Sequence, residues 1–316
     1  MGIALSALAL VREKGDNNER KLDLIARAPN PQLQARSRAL LFWTGICTWL
    51  LAAAVVSGTE NKGVEIPLKT YIAGLRLVEV RIEGSTGQFI FDSAGGLSLI
   101  TPEFSRDLGF EPFGRLTAFK HTGERVEFQR IPARGLSVGG VKMQQTELAL
   151  FDVMKLLEGA PVVQGVIALN TFDGATLTID FAKNRLILED KESLSKRVKE
   201  MKPLRIRAAR QSGGAALDVF VAVDSARSTL WLELDSGNAG PVLVSPHAAE
   251  QLGLKLNGET TAATLRLSPE IEYSCIVASK ETIYDGVLNA TFFQQHIVTL
   301  DLRDMRAWVR RNAPSP

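Results

Sequence analysis

Two stretches lying 143 residues apart constrain this chain more than anything else in it. Residues 89–96 read FIFDSAGG and residues 232–240 read LELDSGNAG. Each is a strand-like apolar run that ends on Asp-Ser and then breaks into small residues. The likeness extends to both sides. Upstream, Val78, Val80, Ile82 and Val219, Val221, Val223 alternate with other residues at the two-residue period of a half-buried strand. A polar loop (GSTG or DSARST) then leads into the run that ends at Asp92 or Asp235. Downstream comes a second apolar run and a short helix. That helix is punctuated identically in both places, by Thr101-Pro102 and Ser245-Pro246 at its start and by Gly109 and Gly253 after its end. A hydroxyl cap, a proline in the first turn and a terminal glycine are what helix ends require.

A second block repeats in the same order. Residues 165–186 align without a gap to residues 286–307, pairing Gly165 with Gly286, Phe172 with Phe293, Asp180 with Asp301 and Arg185 with Arg306. Two copies at so long a period exclude a solenoid. They predict an internally duplicated β protein with lobes over 64–188 and 215–312. The charge-dense segment 189–214 reads as a linker carrying a helical turn or two near 192–201. At 45% hydrophobic and 23% charged, the chain has the composition of a globular protein. A net charge of +2 gives no electrostatic case for nucleic acid.

Residues 39–56 form an uncharged run of 18, preceded by Arg36 and Arg38. The run is long enough to span a bilayer marginally. It reads as a signal peptide or membrane anchor over 39–58, after a cytoplasmic segment or long n-region at 1–38. A buried core helix is the alternative. The basic flank places the lobes outside the cytoplasmic membrane, in the periplasm or secreted, with the membrane as a partner if the segment is not cleaved.

Two like lobes facing each other across a pseudo-twofold axis would bring Asp92 and Asp235 together. Carboxylates that close share one proton and supply a base and an acid at once. One can activate a water against an amide carbonyl while the other supports the oxyanion, with no metal and no cofactor.

The order hydrophobic-hydrophobic-Asp-Ser-small, apolar strand, Pro-started helix ending in Leu-Gly and Gly-Val-Ile/Leu block resembles the retropepsin/pepsin-like aspartic peptidases. The bacterial retropepsin-like aspartyl proteases are the nearest form, and the likeness covers roughly 70–188 and 215–310. It implies a mainly β fold of two closed β-barrel lobes with short helices. It implies Asp92 and Asp235 as the catalytic pair, supported by the turn residues Ser93, Ala94, Ser236 and Gly237. It also implies a cleft for an extended peptide or protein substrate, a flap over that cleft, and a monomer with pseudo-twofold lobes. HTGER at 121–125 is the best flap tip, at His121, Thr122 and Gly123. The family's hydroxyl or acid four residues after each Asp is missing: Gly96 and Ala239 stand there. Asn238 is also unusual, and Ala94 replaces a glycine. A non-catalytic extracytoplasmic peptide-binding cleft is therefore the second reading beside an aspartic endopeptidase.

Three other features read as structural. Asp180 and Asp301 are expected to stabilise turns. His121, His247 and His296 lack metal-ligand spacing. GLSVG at 135–139 matches the serine-nucleophile elbow G-x-S-x-G, but a turn and another strand are expected after it instead of a helix.

Overall fold

The structure, a computed structural model, describes residues 63–255 and 260–312. The apolar run at 39–58 and the segment before it lie outside the described residues. Among the described residues no helix is long and apolar enough to cross a membrane.

The fold is mainly β with a few short helices. In the first half, strands Arg76–Ile82 and Ser85–Phe91 form an antiparallel hairpin. Its turn holds Glu83 and Gly84 with φ of 49° and 87°, the two left-handed positions a two-residue hairpin loop demands. Strand Gly165–Ile167 then runs parallel to Ser85–Phe91, pairing Gly165 with Phe89 and Ile167 with Phe91. The second half is built the same way. Strands Asp218–Asp224 and Thr229–Glu233 form the hairpin, and Gly286–Val287 runs parallel to the latter, with Gly286 opposite Leu232. Both glycines are required by close approach. A Cβ on Gly165 would run into the Leu99 carbonyl and the Phe89 ring, and one on Gly286 into the Leu243 carbonyl.

Six strands of the second half close into a barrel. The order Asp218–Asp224, Thr229–Glu233, Gly286–Val287, Val242–Val244, Ile271–Ser279, Thr261–Ser268 returns to the first strand through Asp224 opposite Arg266. The first-half strands form an open path among the described residues, so one closed barrel stands where two were expected. The hairpin Phe113–Phe119/Arg125–Pro132 ends that path.

The segment 189–214 carries the helix Lys191–Arg197 and two strands. Lys202–Leu204 pairs with Arg306–Arg311, and Ile206–Ala209 pairs with Asp218–Asp224. The helices Pro102–Asp107 and Pro246–Gln251 start as expected: Thr101 Oγ1 accepts from the Phe104 N–H at 3.3 Å and Ser245 Oγ from the Ala248 N–H at 3.1 Å.

The halves meet along a shared seam. Strand Thr176–Asp180 pairs antiparallel with His296–Asp301, and the Thr178 and Thr299 hydroxyls lie 2.7 Å apart at its centre. Phe181 carries the core across, its ring 6.3 Å from Phe91 and 5.7 Å from Phe293. Burial of rings this size contributes roughly 2–3 kcal/mol each. The turn role read for Asp180 and Asp301 is the geometry observed. Asp180 accepts from the Lys183 N–H and pairs with Arg185, while Asp301 accepts from the Asp304 N–H and pairs with Arg306. GLSVG forms part of a small hairpin, Ser137–Val138 with Val141–Lys142, and no helix follows it.

Candidate active site

Both Asp-Ser pairs lie at the ends of their strands, where the chain leaves the sheet for a tight turn. Asp92 stays anchored through its N–H to the Ile167 carbonyl at 2.9 Å. Each carboxylate then closes its own turn: Asp92 Oδ1 accepts from the Ala94 N–H at 3.0 Å and Asp235 Oδ1 from the Gly237 N–H at 2.7 Å. This two-residue return is the local habit of Asp in turns.

The serines clasp the two turns together. The Ser93 N–H donates to Ser236 Oγ at 2.9 Å, and the Ser236 N–H donates to Ser93 Oγ at 2.9 Å. Each hydroxyl passes its own proton to the opposite strand, Ser93 Oγ to the Leu234 carbonyl at 2.6 Å and Ser236 Oγ to the Phe91 carbonyl at 3.4 Å. All four residues of the two Asp-Ser pairs are fully buried. Asp92 lies directly over the opposite turn, for a Cβ placed on Gly237 would fall 2.5 Å from Asp92 Oδ2. Asn238 staples the second turn from behind. Its Nδ2 donates to the Pro241 and Leu288 carbonyls at 3.0 and 3.1 Å, and its Oδ1 accepts from the Gly240 N–H.

Burial raises the proton affinity of Asp235 well above the usual carboxylate range, and the nearby Asp92 and Glu233 add to it. The N–H groups of Gly237 and Asn238 only partly oppose this. Asp235 Oδ2 is buried without a hydrogen-bond partner among the described residues, a position in which an ionised oxygen is costly. A protonated carboxyl beside a second carboxyl can act as acid and base together.

Residues 121–123 form the tip of the Phe113–Phe119/Arg125–Pro132 hairpin, closed by the Lys120 N–H to the Glu124 carbonyl at 2.9 Å. This tip is latched to the second half. The His121 carbonyl accepts from the Ile283 N–H at 2.8 Å, and Gly123 sits against Ile283. Gln211 accepts from the Phe119 N–H at 2.8 Å and donates to the Tyr284 hydroxyl at 3.0 Å. Ser212 donates to the Thr117 carbonyl. His121 is buried, and burial followed by Lys280 and Lys120 lowers its pKa to about 4. His296 is satisfied by stacking on Phe292 and by the Phe292 carbonyl. A concavity of about 710 Å³ beside the first helix is lined by Thr101, Glu103, Phe104 and Gln164 among others and includes neither Asp92 nor Asp235.

Sequence reasoning missed two buried acids beside the turns, Asp218 and Glu233, both with 0% exposure. Only one hint was present: Glu233 stands two residues before Asp235 where the first half has Ile90.

Residues 78–171, which include Asp92, match the family model described as aspartyl protease. That match supports an aspartic-peptidase-like character and, at the coarse level, hydrolase chemistry. A search of curated proteins gave no match. Among solved structures, conglutin gamma, a basic 7S globulin from lupine seeds, superposes with a TM-score of 0.52 at 11% identity. The superposition covers 80% of this chain and 96% of that one, a likeness of fold.

Proposed function

We propose that the chain is an aspartic endopeptidase in which Asp92 and Asp235 activate one water between them against a peptide carbonyl. The observation that carries this reading is the reciprocal Ser93–Ser236 clasp, which sets Asp92 over the turn of Asp235. We take Asp235, whose buried carboxyl is held well above the usual range, as the carrier of the shared proton and Asp92 as the base. Asp92 takes a proton from the water as its oxygen attacks the carbonyl carbon, and the Asp235 carboxyl donates to the developing oxyanion. Collapse of the tetrahedral intermediate breaks the C–N bond: the departing nitrogen receives the proton that Asp92 acquired, and one hydroxyl of the intermediate returns its proton to Asp235 as the new carbonyl forms.

The two halves, alike in hairpin, parallel strand, capped helix and Asp-Ser turn, are read as duplicated lobes of a monomer. Their substrate is an extended peptide or protein. The hairpin tip at His121, Thr122 and Gly123 acts as the flap and releases Ile283 to admit it. An extracytoplasmic position, anchored or secreted, rests on the apolar run at 39–56.

Digestion of a mixed peptide library between pH 3 and pH 8 tests the reading, with Asp92→Asn and Asp235→Asn beside the wild type. Each substitution is expected to lower turnover by at least about 10³-fold. Cleavage that survives both variants refutes it. Peptide bound without cleavage at any pH selects the non-catalytic cleft instead.

A further inference from the structure

The hairpins of the two halves carry equivalent positions with opposite chemistry. In the first half the register pairs Arg76 with Phe91, which puts Leu75 level with Asp92. In the second half Phe220 pairs with Glu233, which puts Asp218 level with Asp235. Leu75 thus corresponds to Asp218, and Ile90 to Glu233. The first pair sits in an apolar cluster against which Ala239 packs. The second is a pair of fully buried acids.

Asp218 and Glu233 lie within hydrogen-bonding reach of each other, yet none of their four oxygens has a donor among the described residues. Two carboxyls can satisfy one another only through a proton that one of them carries. The pair also abuts the first Asp turn. A Cβ on Gly96 would lie 2.9 Å from Asp218 Oδ1, and the Leu217 N–H donates to the Gly96 carbonyl at 2.9 Å. The missing side chain at 96 therefore makes room for the Asp218 carboxyl. The groups around the pair are few. Asp92 and Asp235 lie on the turn side. Burial raises the proton affinity of Tyr284, which is near enough for both acids to add to it, its ring 4.8 Å from Phe220 and its hydroxyl accepting from Gln211. The cation on this face is Arg207, which stacks over the Phe220 and Trp231 rings.

We infer that Asp218 and Glu233 form a second, proton-sharing acid pair that positions the proton of the Asp92–Asp235 dyad, holding it on Asp235. This inference rests on the proposed peptidase reading for its consequence in turnover, but not for its physical content. When the pair loses its first proton, the negative charge it gains opposes ionisation of Asp235. The four carboxyls then titrate as one coupled unit. Asp218 and Glu233 are positioning residues, since neither is assigned a contact with the substrate.

The sign is fixed by charge. Removing the pair's negative charge favours ionised Asp235, so its proton leaves at lower pH. The test compares wild type, Glu233→Gln and the double variant Asp218→Leu/Glu233→Ile, which copies the apolar pair of the first half and so keeps a packed alternative. The first readout is the carboxyl ¹³C titration of Asp235, which needs no turnover. The second is the alkaline limb of the kcat/KM profile. Both midpoints are expected to fall by about one pH unit in the double variant, which removes the charge, and by clearly less in Glu233→Gln, where Asp218 still carries it. An unmoved Asp235 midpoint in both variants overturns the inference, even if their thermal stability changes and cleavage is robust. A midpoint that falls while no form cleaves peptide sustains the acid pair and refutes the peptidase reading.

Discussion

Gly237 offers the sharpest test of how the two turns face each other. Its φ lies outside the left-handed region, so alanine is free to adopt its backbone, and the cost of Gly237→Ala is purely steric. The new Cβ would stand 2.5 Å from Asp92 Oδ2, 2.6 Å from its Cγ and 2.8 Å from its Oδ1. Ordinary contact lies near 3.5 Å, so one side must yield by about 1 Å. The Ser93–Ser236 clasp fixes the turn backbones, which leaves the Asp92 carboxylate to rotate out of its place. Overpacking of this kind costs about 1–3 kcal/mol. At about 2–4 °C per kcal/mol for a protein this size, the melting temperature drops by a few degrees to roughly 10 °C. Misplacing a reacting group by 1 Å costs about 10²-fold in turnover. The matched control is Ala94→Gly, at the equivalent position of the first turn. It opens space instead of filling it, and is expected to cost about 1 kcal/mol while keeping turnover within a few-fold. Thermal melts and peptide cleavage measure all three proteins. A Gly237→Ala variant as stable and as active as wild type would refute the placement of Asp92 over that turn.

Two further outcomes follow from the same geometry. Ser93→Ala removes the acceptor of the buried Ser236 N–H together with the 2.6 Å bond to Leu234, and should cost about 2–4 kcal/mol in denaturant unfolding. Ser236→Ala likewise removes the acceptor of the buried Ser93 N–H but forfeits only a 3.4 Å donation to the Phe91 carbonyl, and should cost less; equal or reversed costs contradict the clasp as described. His121, whose pKa is lowered from 6.5 to about 4, favours the neutral imidazole in the folded state. The unfolded chain binds its proton more readily, so its contribution to stability is complete above about pH 6.5 and is lost as pH falls toward about 4. Hydrogen exchange at the Ile283 N–H, corrected for intrinsic rate, should accelerate over that window and lose the effect in His121→Phe. A flat profile in wild type would detach the histidine from the latch.

Much of the site was legible in the sequence because it is local. The Asp-Ser turns, the two Pro-started helices and the hairpin tip at 121–123 all announce themselves through turn and cap chemistry within a few residues. The rest depends on partners distant in the chain. Glu233 sits in an apolar run, LELD, and nothing nearby states that it will be buried beside Asp218. Gly96 looked like the loss of a supporting polar group, yet the space it leaves holds the carboxyl of Asp218 from the other half. Segment 189–214 read as charged linker because edge strands tolerate solvated side chains, whereas its backbone pairs with strands at 218–224 and 306–311.

The seam between Thr176–Asp180 and His296–Asp301 carries a consequence for how the two turns come together. Two separate chains sharing one site would lose it on dilution, because each copy alone would hold half the machinery. Here the halves are tethered and zipped along a common sheet, so the second aspartate arrives at an effective concentration set by the polypeptide itself. On the proposed peptidase reading, specific activity is therefore expected to stay constant when the protein is diluted.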